Sequence, residues 1–204
     1  GLGRLVRRTC PCGFSTNYTY DSVGNLVGVE DALGHSSEYQ YDALDRLVSS
    51  ISPMGYVTNF TYDHYGNLLE MQNPRGFSTL FHYDVMDRVD RIELPSGDFE
   101  TYGYDANGNM VSCIDGEGHP STFSYDGLQR LVRKNLTDEM MTYAYDANGN
   151  LLSAVNEHGP GNMTMAYDNL NRLTHKAVDY GTFQKDTGLG YDAEGMLSWA
   201  EIVQ

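Results

Sequence analysis

Large apolar residues recur along this chain with two superposed periods. The short period is two. In the segment Val57-Thr58-Asn59-Phe60-Thr61-Tyr62, large aromatic and smaller or polar residues alternate, the pattern of a strand with one apolar face. β-branched and aromatic residues are also the types that favour strands. The long period is 21 residues and is marked by a Tyr-Asp step. Nine such steps occur, from Tyr20-Asp21, Tyr41-Asp42 and Tyr62-Asp63 to Tyr191-Asp192. The first six are 21 residues apart, and the last gaps are 20, 22 and 24.

Two residues before each step stand Tyr18, Tyr39, Phe60, Phe81, Tyr102, Phe123, Tyr143, Met165 and Leu189. The residues between these and the tyrosines of the steps are Thr19, Gln40, Thr61, His82, Gly103, Ser124, Ala144, Ala166 and Gly190. Side chains two apart share a face, so one face carries an aromatic stripe and the other is small or polar. In one period, residues 57–62 predict a strand, 63–66 a tight turn, 67–72 the return strand and Asn73-Pro74-Arg75-Gly76 a second turn. Each period is therefore a β-hairpin. The expected fold is all-β: an array of about 21-residue hairpins, residues 1–204 as one array with incomplete repeats at both ends, forming a continuous antiparallel sheet. Burying each large apolar side chain is worth about 1.5–3 kcal/mol, so the stripe is expected to need a cover.

The turn residues carry a third regularity. Asp21, Asp42, Asp63, Asp84, Asp105, Asp126, Asp146, Asp168 and Asp192 are expected to accept backbone N–H groups two or three residues on and so pin each turn. Three residues after each Asp a positive φ is expected. That position holds Gly24, Gly66, Gly108, Gly149 and Gly195, alternating with Asp45, Asp87, Gln129 and Asn171. Gln129 is the exception to the chemistry of the set. The next residue is Arg4, Arg46, Arg88, Arg130 or Arg172 every 42 residues, with Asn25, Asn67, Asn109 and Asn150 between and Met196 outside the set. This makes a 42-residue double repeat. The arginines are expected to form a ladder along one edge that fixes register rather than adding much stability.

Composition narrows the functional classes. The net charge of −15 disfavours nucleic acid and anionic lipid as partners. No apolar run is long enough for a helical membrane span. The chain begins at Gly1 rather than Met, and Gly3-Arg4-Leu5 matches the middle of a repeat, so it reads as a segment of something longer. Cys10, Cys12 and Cys113 are an odd set outside the repeat and read as incidental thiols, with a metal half-site or a redox pair as alternatives for Cys10-Pro11-Cys12. Asp105-Ala106-Asn107-Gly108-Asn109 and Asp146-Ala147-Asn148-Gly149-Asn150 resemble the start of a calcium loop but lack the distal Glu, and they fall on the repeat turn. The six histidines have no metal-ligand spacing and no nucleophile motif is present, so no catalytic residue, metal or cofactor is assigned. Four Asn-x-Thr sequons, at Asn17, Asn59, Asn135 and Asn162, are candidate N-glycosylation sites.

The pattern aromatic-x-Tyr-Asp-x-x-Gly-Asn/Arg-Leu, followed by a Pro-x-Gly or similar turn, resembles the RHS/YD repeat, and the likeness runs from Gly3 to Trp199. That resemblance implies a long spiralling β-sheet. In bacterial toxins of this family such sheets form a hollow shell around a toxic C-terminal segment; in the animal teneurins related shells serve cell-surface adhesion. The Asp-Pro-x-Gly segment that closes bacterial RHS cores is not found here, and known shells need many more repeats than nine. The expected function is thus structural, not enzymatic: a secreted or cell-surface scaffold, as a wall segment of an RHS-type shell or a subunit of an extracellular fibre. Its partners would be copies of itself or flanking repeats, joined through open strand edges. The alternative is an adhesin or binding module whose tyrosine-rich face takes glycans or cell-surface proteins.

Overall fold

The computed structural model describes residues 3–203, and every regular element among them is a β-strand. Nineteen strands follow in chain order, from β1 (Arg7–Thr9) to β19 (Leu197–Val203). They fall in two compact units, one up to Glu100 and one from Thr101 on. In the first unit each strand from β1 to β9 (Val89–Glu93) pairs antiparallel with the next. In the second, each strand from β10 (Phe99–Tyr104) to β19 does the same.

One hairpin shows why the sequence makes this unit. β6 (Val57–Tyr62) pairs with β7 (Leu68–Gln72) through Asn59↔Gln72, Phe60↔Met71 and Thr61↔Glu70. The register then slips and Tyr62 faces Leu68, leaving Leu69 as the extra residue of a bulge. The same slip precedes the tyrosine of each Tyr-Asp step. At six of the nine bulges the two successive residues set beside the tyrosine are both apolar, as are Leu68 and Leu69.

The stripe residues from Tyr18 to Leu189 are all half-buried, while most of the residues between them and the step tyrosines are exposed. Among the described residues of this chain only Ser49, Ala154 and Ala177 are buried. Within each unit the apolar side chains shield one another sideways along the face. Lateral packing supplies the partial burial of the stripe within this chain.

Candidate functional site

The nine Tyr-Asp turns are the most densely bonded feature of the molecule. At Asp63, one carboxylate oxygen accepts the amides of Tyr65 at 2.9 Å and Asn67 at 2.8 Å, and the other accepts the Asn67 side-chain amide at 3.0 Å. The spacing is two and four residues on, where two or three had been expected. At Asp21 the third amide, that of Gly24, joins at 2.7 Å. In the alternate turns Arg takes the place of Asn: Arg46 Nε donates to Asp42 at 2.7 Å, and Arg130 and Arg172 repeat the bond to Asp126 and Asp168. Arg88 bonds Asp84 in the same way.

These bonds hold the carboxyls below the usual aspartate range. At Asp84, Asp126 and Asp168 the leading cause is the side-chain bond from the arginine, and at Asp105 and Asp146 it is the bond from the asparagine. At Asp42 it is the Arg46 amide. At Asp21 and Asp63 partial burial pushes upward most strongly, and the combined hydrogen bonds outweigh it.

The same side chains reach forward to the next turn, which explains the 42-residue period. Asn25 donates to the Asp45 carboxylate at 2.7 Å and Asn67 to that of Asp87 at 3.1 Å. In the second unit Asn109 donates to the Gln129 side chain, and Asn150 to that of Asn171 at 2.9 Å. Gln129 is thus the acceptor that its slot requires, which accounts for its place in the set. The arginines reach forward differently. Arg46 lies 4.8 Å from the Tyr62 ring centre and donates to the Asp63 carbonyl at 2.7 Å. Arg130 does the same with Tyr145 and Asp146, Arg4 with Tyr20 and Asp21, and Arg172 lies over Tyr191.

A turn that follows an Asn therefore needs a side chain with an acceptor at the positive-φ position, whereas a turn that follows an Arg has Gly there. Backbone geometry agrees. Asp45, Asp87, Gln129 and Asn171 have φ of 57 to 64°, which L-residues can adopt, while Gly24, Gly66, Gly108, Gly149 and Gly195 lie at 82 to 119°. At Gly24 a β-carbon would also stand 2.8 Å from the Arg4 guanidinium.

The step tyrosine has a role that reading it as part of an apolar stripe misses. Its hydroxyl donates back to the main chain of the preceding hairpin: Tyr41 to the Leu26 carbonyl at 3.0 Å, Tyr62 to Leu47 at 2.8 Å, Tyr83 to Leu68 at 2.9 Å. Tyr125, Tyr145, Tyr167 and Tyr191 do likewise with Met110, Leu131, Leu151 and Leu173. The ladder between β3 (Leu26–Glu30) and β4 (Ser36–Tyr41) stops at Gly28↔Glu38, short of Leu26. The phenol completes the pairing where the backbone ladder ends. Burial raises the pKa of Tyr41 and Tyr83 and keeps both as donors. The signal was present in the chain: the step residue is Tyr every time, while the stripe position two before it accepts Phe, Met or Leu.

The opposite edge of each unit forms shallow grooves between turns. In the first unit a groove of about 490 Å³ lies against Tyr56, Asn73, Pro74, Arg75 and Phe77. It adjoins one of about 290 Å³ lined by Tyr39, Tyr56 and the hydroxyls of Ser37, Ser50 and Thr58. In the second unit the groove between two such turns is lined by Asp115, His119, Asp138 and Glu139. Strand alternation places the sequon residues Asn17, Asn59, Asn135 and Asn162 opposite the tyrosines. Asn17 and Asn59 are exposed. The Asn135 amide donates to Thr122 at 3.1 Å, and the Asn162 side-chain oxygen accepts the Asn156 amide at 2.8 Å. Cys10 and Cys12 are joined as a disulfide, where incidental thiols had been expected, and Cys113 is free and half-buried.

Comparison with known proteins agrees with this architecture. Residues 20–55 and 41–78 match the RHS repeat family. No curated protein sequence matches the chain. The crystal structure of TcdB2-TccC3 is similar over 98% of this chain, with a TM-score of 0.69 and 15% identity. The crystal structure of TcdB2-TccC3-TEV has the same TM-score at 16% identity, and the Photorhabdus luminescens Tc holotoxin pore reaches 0.62 at 15%. This chain covers only 14–15% of the length of those chains, and at such identity the likeness is one of fold. RHS repeats are thus matched over residues 20–78, and the same bulged hairpin with its Tyr-Asp turn continues to Tyr191.

Proposed function

We propose that the chain is a structural scaffold, a wall segment of an RHS-type shell that works outside the cell, and that it catalyses no reaction. The observation that carries this reading is the turn relay. The turns at Asp21, Asp42, Asp63, Asp105, Asp126 and Asp146 are bonded within themselves and also to the next turn, so their bonding groups serve extension of the sheet. The partners are then flanking repeats or further copies, meeting strand edge to strand edge. Electron microscopy of the full-length protein tests this: a closed hollow particle with these hairpins in its wall is expected. Long filaments would point to the fibre instead, and solid or extended particles without an enclosed space would reject the shell.

A second reading is favoured by the first-unit groove. Tyr39 and Tyr56 stand beside Ser37, Ser50 and Thr58, and no charged group lines that part. Aromatic faces next to neutral hydroxyls suit a neutral glycan. Glycan-array binding lost in Tyr39→Ala and Tyr56→Ala, yet kept in Asp126→Asn, would support it; absence of binding would leave the scaffold alone. In a glycosylating host, Asn17 and Asn59 should be modified before Asn135 and Asn162, because modifying Asn135 breaks a bond already made by its amide. Glycopeptide mass spectrometry reads the order.

A further inference from the structure

The disulfide between Cys10 and Cys12 spans a single residue, in the turn between β1 and β2 (Ser15–Tyr20). The repeat supplies its own control for what that bridge contributes. In this turn the Cys10 amide donates to the Phe14 carbonyl at 2.9 Å and the Gly13 amide to the Cys10 carbonyl at 3.0 Å. The turns that start at Asp31, Ser52, Asn73, Leu94 and Asp115 close with the same two bonds, at 2.8 to 3.2 Å, and contain no cysteine. In four of them the first side chain adds a bond to a turn amide. Leu94 has no polar side-chain atom to add one, and its turn closes at 2.8 and 2.9 Å regardless. The bridge is therefore not what makes the turn.

Chain entropy gives the same answer, since the stabilisation from a cross-link shrinks with the loop it closes. Chemistry is what this bridge adds. Cys12 is exposed and Cys10 half-buried. Arg7 and Arg8 precede them, and both are exposed. A positive charge held close in sequence favours a thiolate over a thiol and so makes a cysteine sulfur a better leaving group, although the Arg7 guanidinium itself donates to Ser15 Oγ at 2.9 Å.

We propose that Cys10–Cys12 is a thiol–disulfide exchange site whose substrate is an external thiol. The thiolate of that reagent attacks Cys12 Sγ, forming a new S–S bond as the Cys10–Cys12 bond breaks. The electron pair leaves on Cys10 Sγ, which is released as a thiolate and takes a proton from water. A second thiol then attacks the reagent's sulfur in the mixed disulfide and frees Cys12. Two thiols are oxidised to one disulfide, and the protein bridge is reduced by the same two electrons. Cys113, half-buried in β11 (Met110–Ile114), takes no part.

The test treats the whole chain with reduced glutathione near neutral pH, quenches with acid, alkylates, and reads the peptide across residues 9–14 by mass spectrometry. Expected are glutathione on Cys12 and alkylation of Cys10, with far-UV circular dichroism unchanged. Cys10→Ser should take up oxidised glutathione at Cys12, faster than Cys113 does. The double variant Arg7→Ser, Arg8→Ser should exchange several-fold more slowly. A bridge that survives glutathione, a bridge whose reduction melts the β signal, or an air-exposed protein that keeps both residues as free thiols would each overturn the proposal.

Discussion

In the first unit the groove between the turns at 52–56 and 73–77 is lined by Tyr56, Pro74, Arg75 and Phe77; in the second, the groove between the turns at 115–119 and 136–139 is lined by Asp115, His119, Asp138 and Glu139. The Tyr-Asp edge differs in the same sense. Its outermost turn position holds Val23, Leu44, Tyr65 and Met86 in the first unit, all strongly exposed, but Asn107, Leu128, Asn148 and Leu170 in the second. The bonding beneath is nonetheless shared: aspartate caps, forward-reaching Asn or Arg, and the tyrosine hydroxyl recur in both units. Residues whose side chains bond within the array are held to a few types. The apolar tips Val23, Leu44, Met86, Leu128 and Leu170 carry no group for such a bond and are free to set the chemistry of the surface, whereas Asn148 donates to the Asn171 side chain at 2.9 Å.

The contrast can be broken most directly in the groove. Tyr56 closes its turn where Glu139 closes the other, each offering its carbonyl to the first residue's amide. Tyr56→Glu should therefore abolish any glycan binding, at least about tenfold in affinity, the loss of about 1.4 kcal/mol; titration calorimetry reads it, with circular dichroism showing the fold unchanged. Next in size is the backbone. Gly66→Ala forces a β-carbon at φ of 100°, a cost of roughly 1–3 kcal/mol, whereas Gln129→Gly relieves the backbone at 64° and loses only the exposed bond from Asn109, about 0.5–1.5 kcal/mol at most. Urea unfolding of the two variants compares the two turn types, and equal losses would refute the distinction.

The shared bonding predicts equality between the units. Tyr62→Phe and Tyr145→Phe each remove one half-buried hydroxyl bond, at 2.8 and 2.9 Å, and should each cost about 1 kcal/mol. A marked difference in their melting curves would show that the two units do not use the tyrosine alike. The smallest effect expected for any one residue is with acid. Asp42, Asp84 and Asp126 bind protons less readily folded than unfolded, so their stabilisation is complete above the ordinary aspartate pKa of about 3.9 and is lost as pH falls through the lower folded values. Melting temperature should accordingly fall only below about pH 4, and Asp84→Asn should flatten that fall slightly.

Hairpin boundaries, the aromatic stripe and the positive-φ positions were legible because each depends on neighbours in sequence. The strand predicted at 57–62 is β6, and the return strand predicted at 67–72 is β7 with one residue fewer. The forward bonds were visible only as an alternation of Arg with Asn, since their partners lie 16 to 21 residues away. Tyrosine constancy was visible too, but a phenol reads as apolar area until its acceptor is known.

By itself, then, the order of residues determined the hairpin and its turns, because a period of two and a capped tight turn are local properties of the chain. Tertiary structure alone decided that Gln129 belongs to its slot, that the arginines reach the next turn, and that the step tyrosine bonds the preceding hairpin. Each of those depends on which groups the folded backbone brings within bonding distance, and distance in space is not written in the spacing of letters.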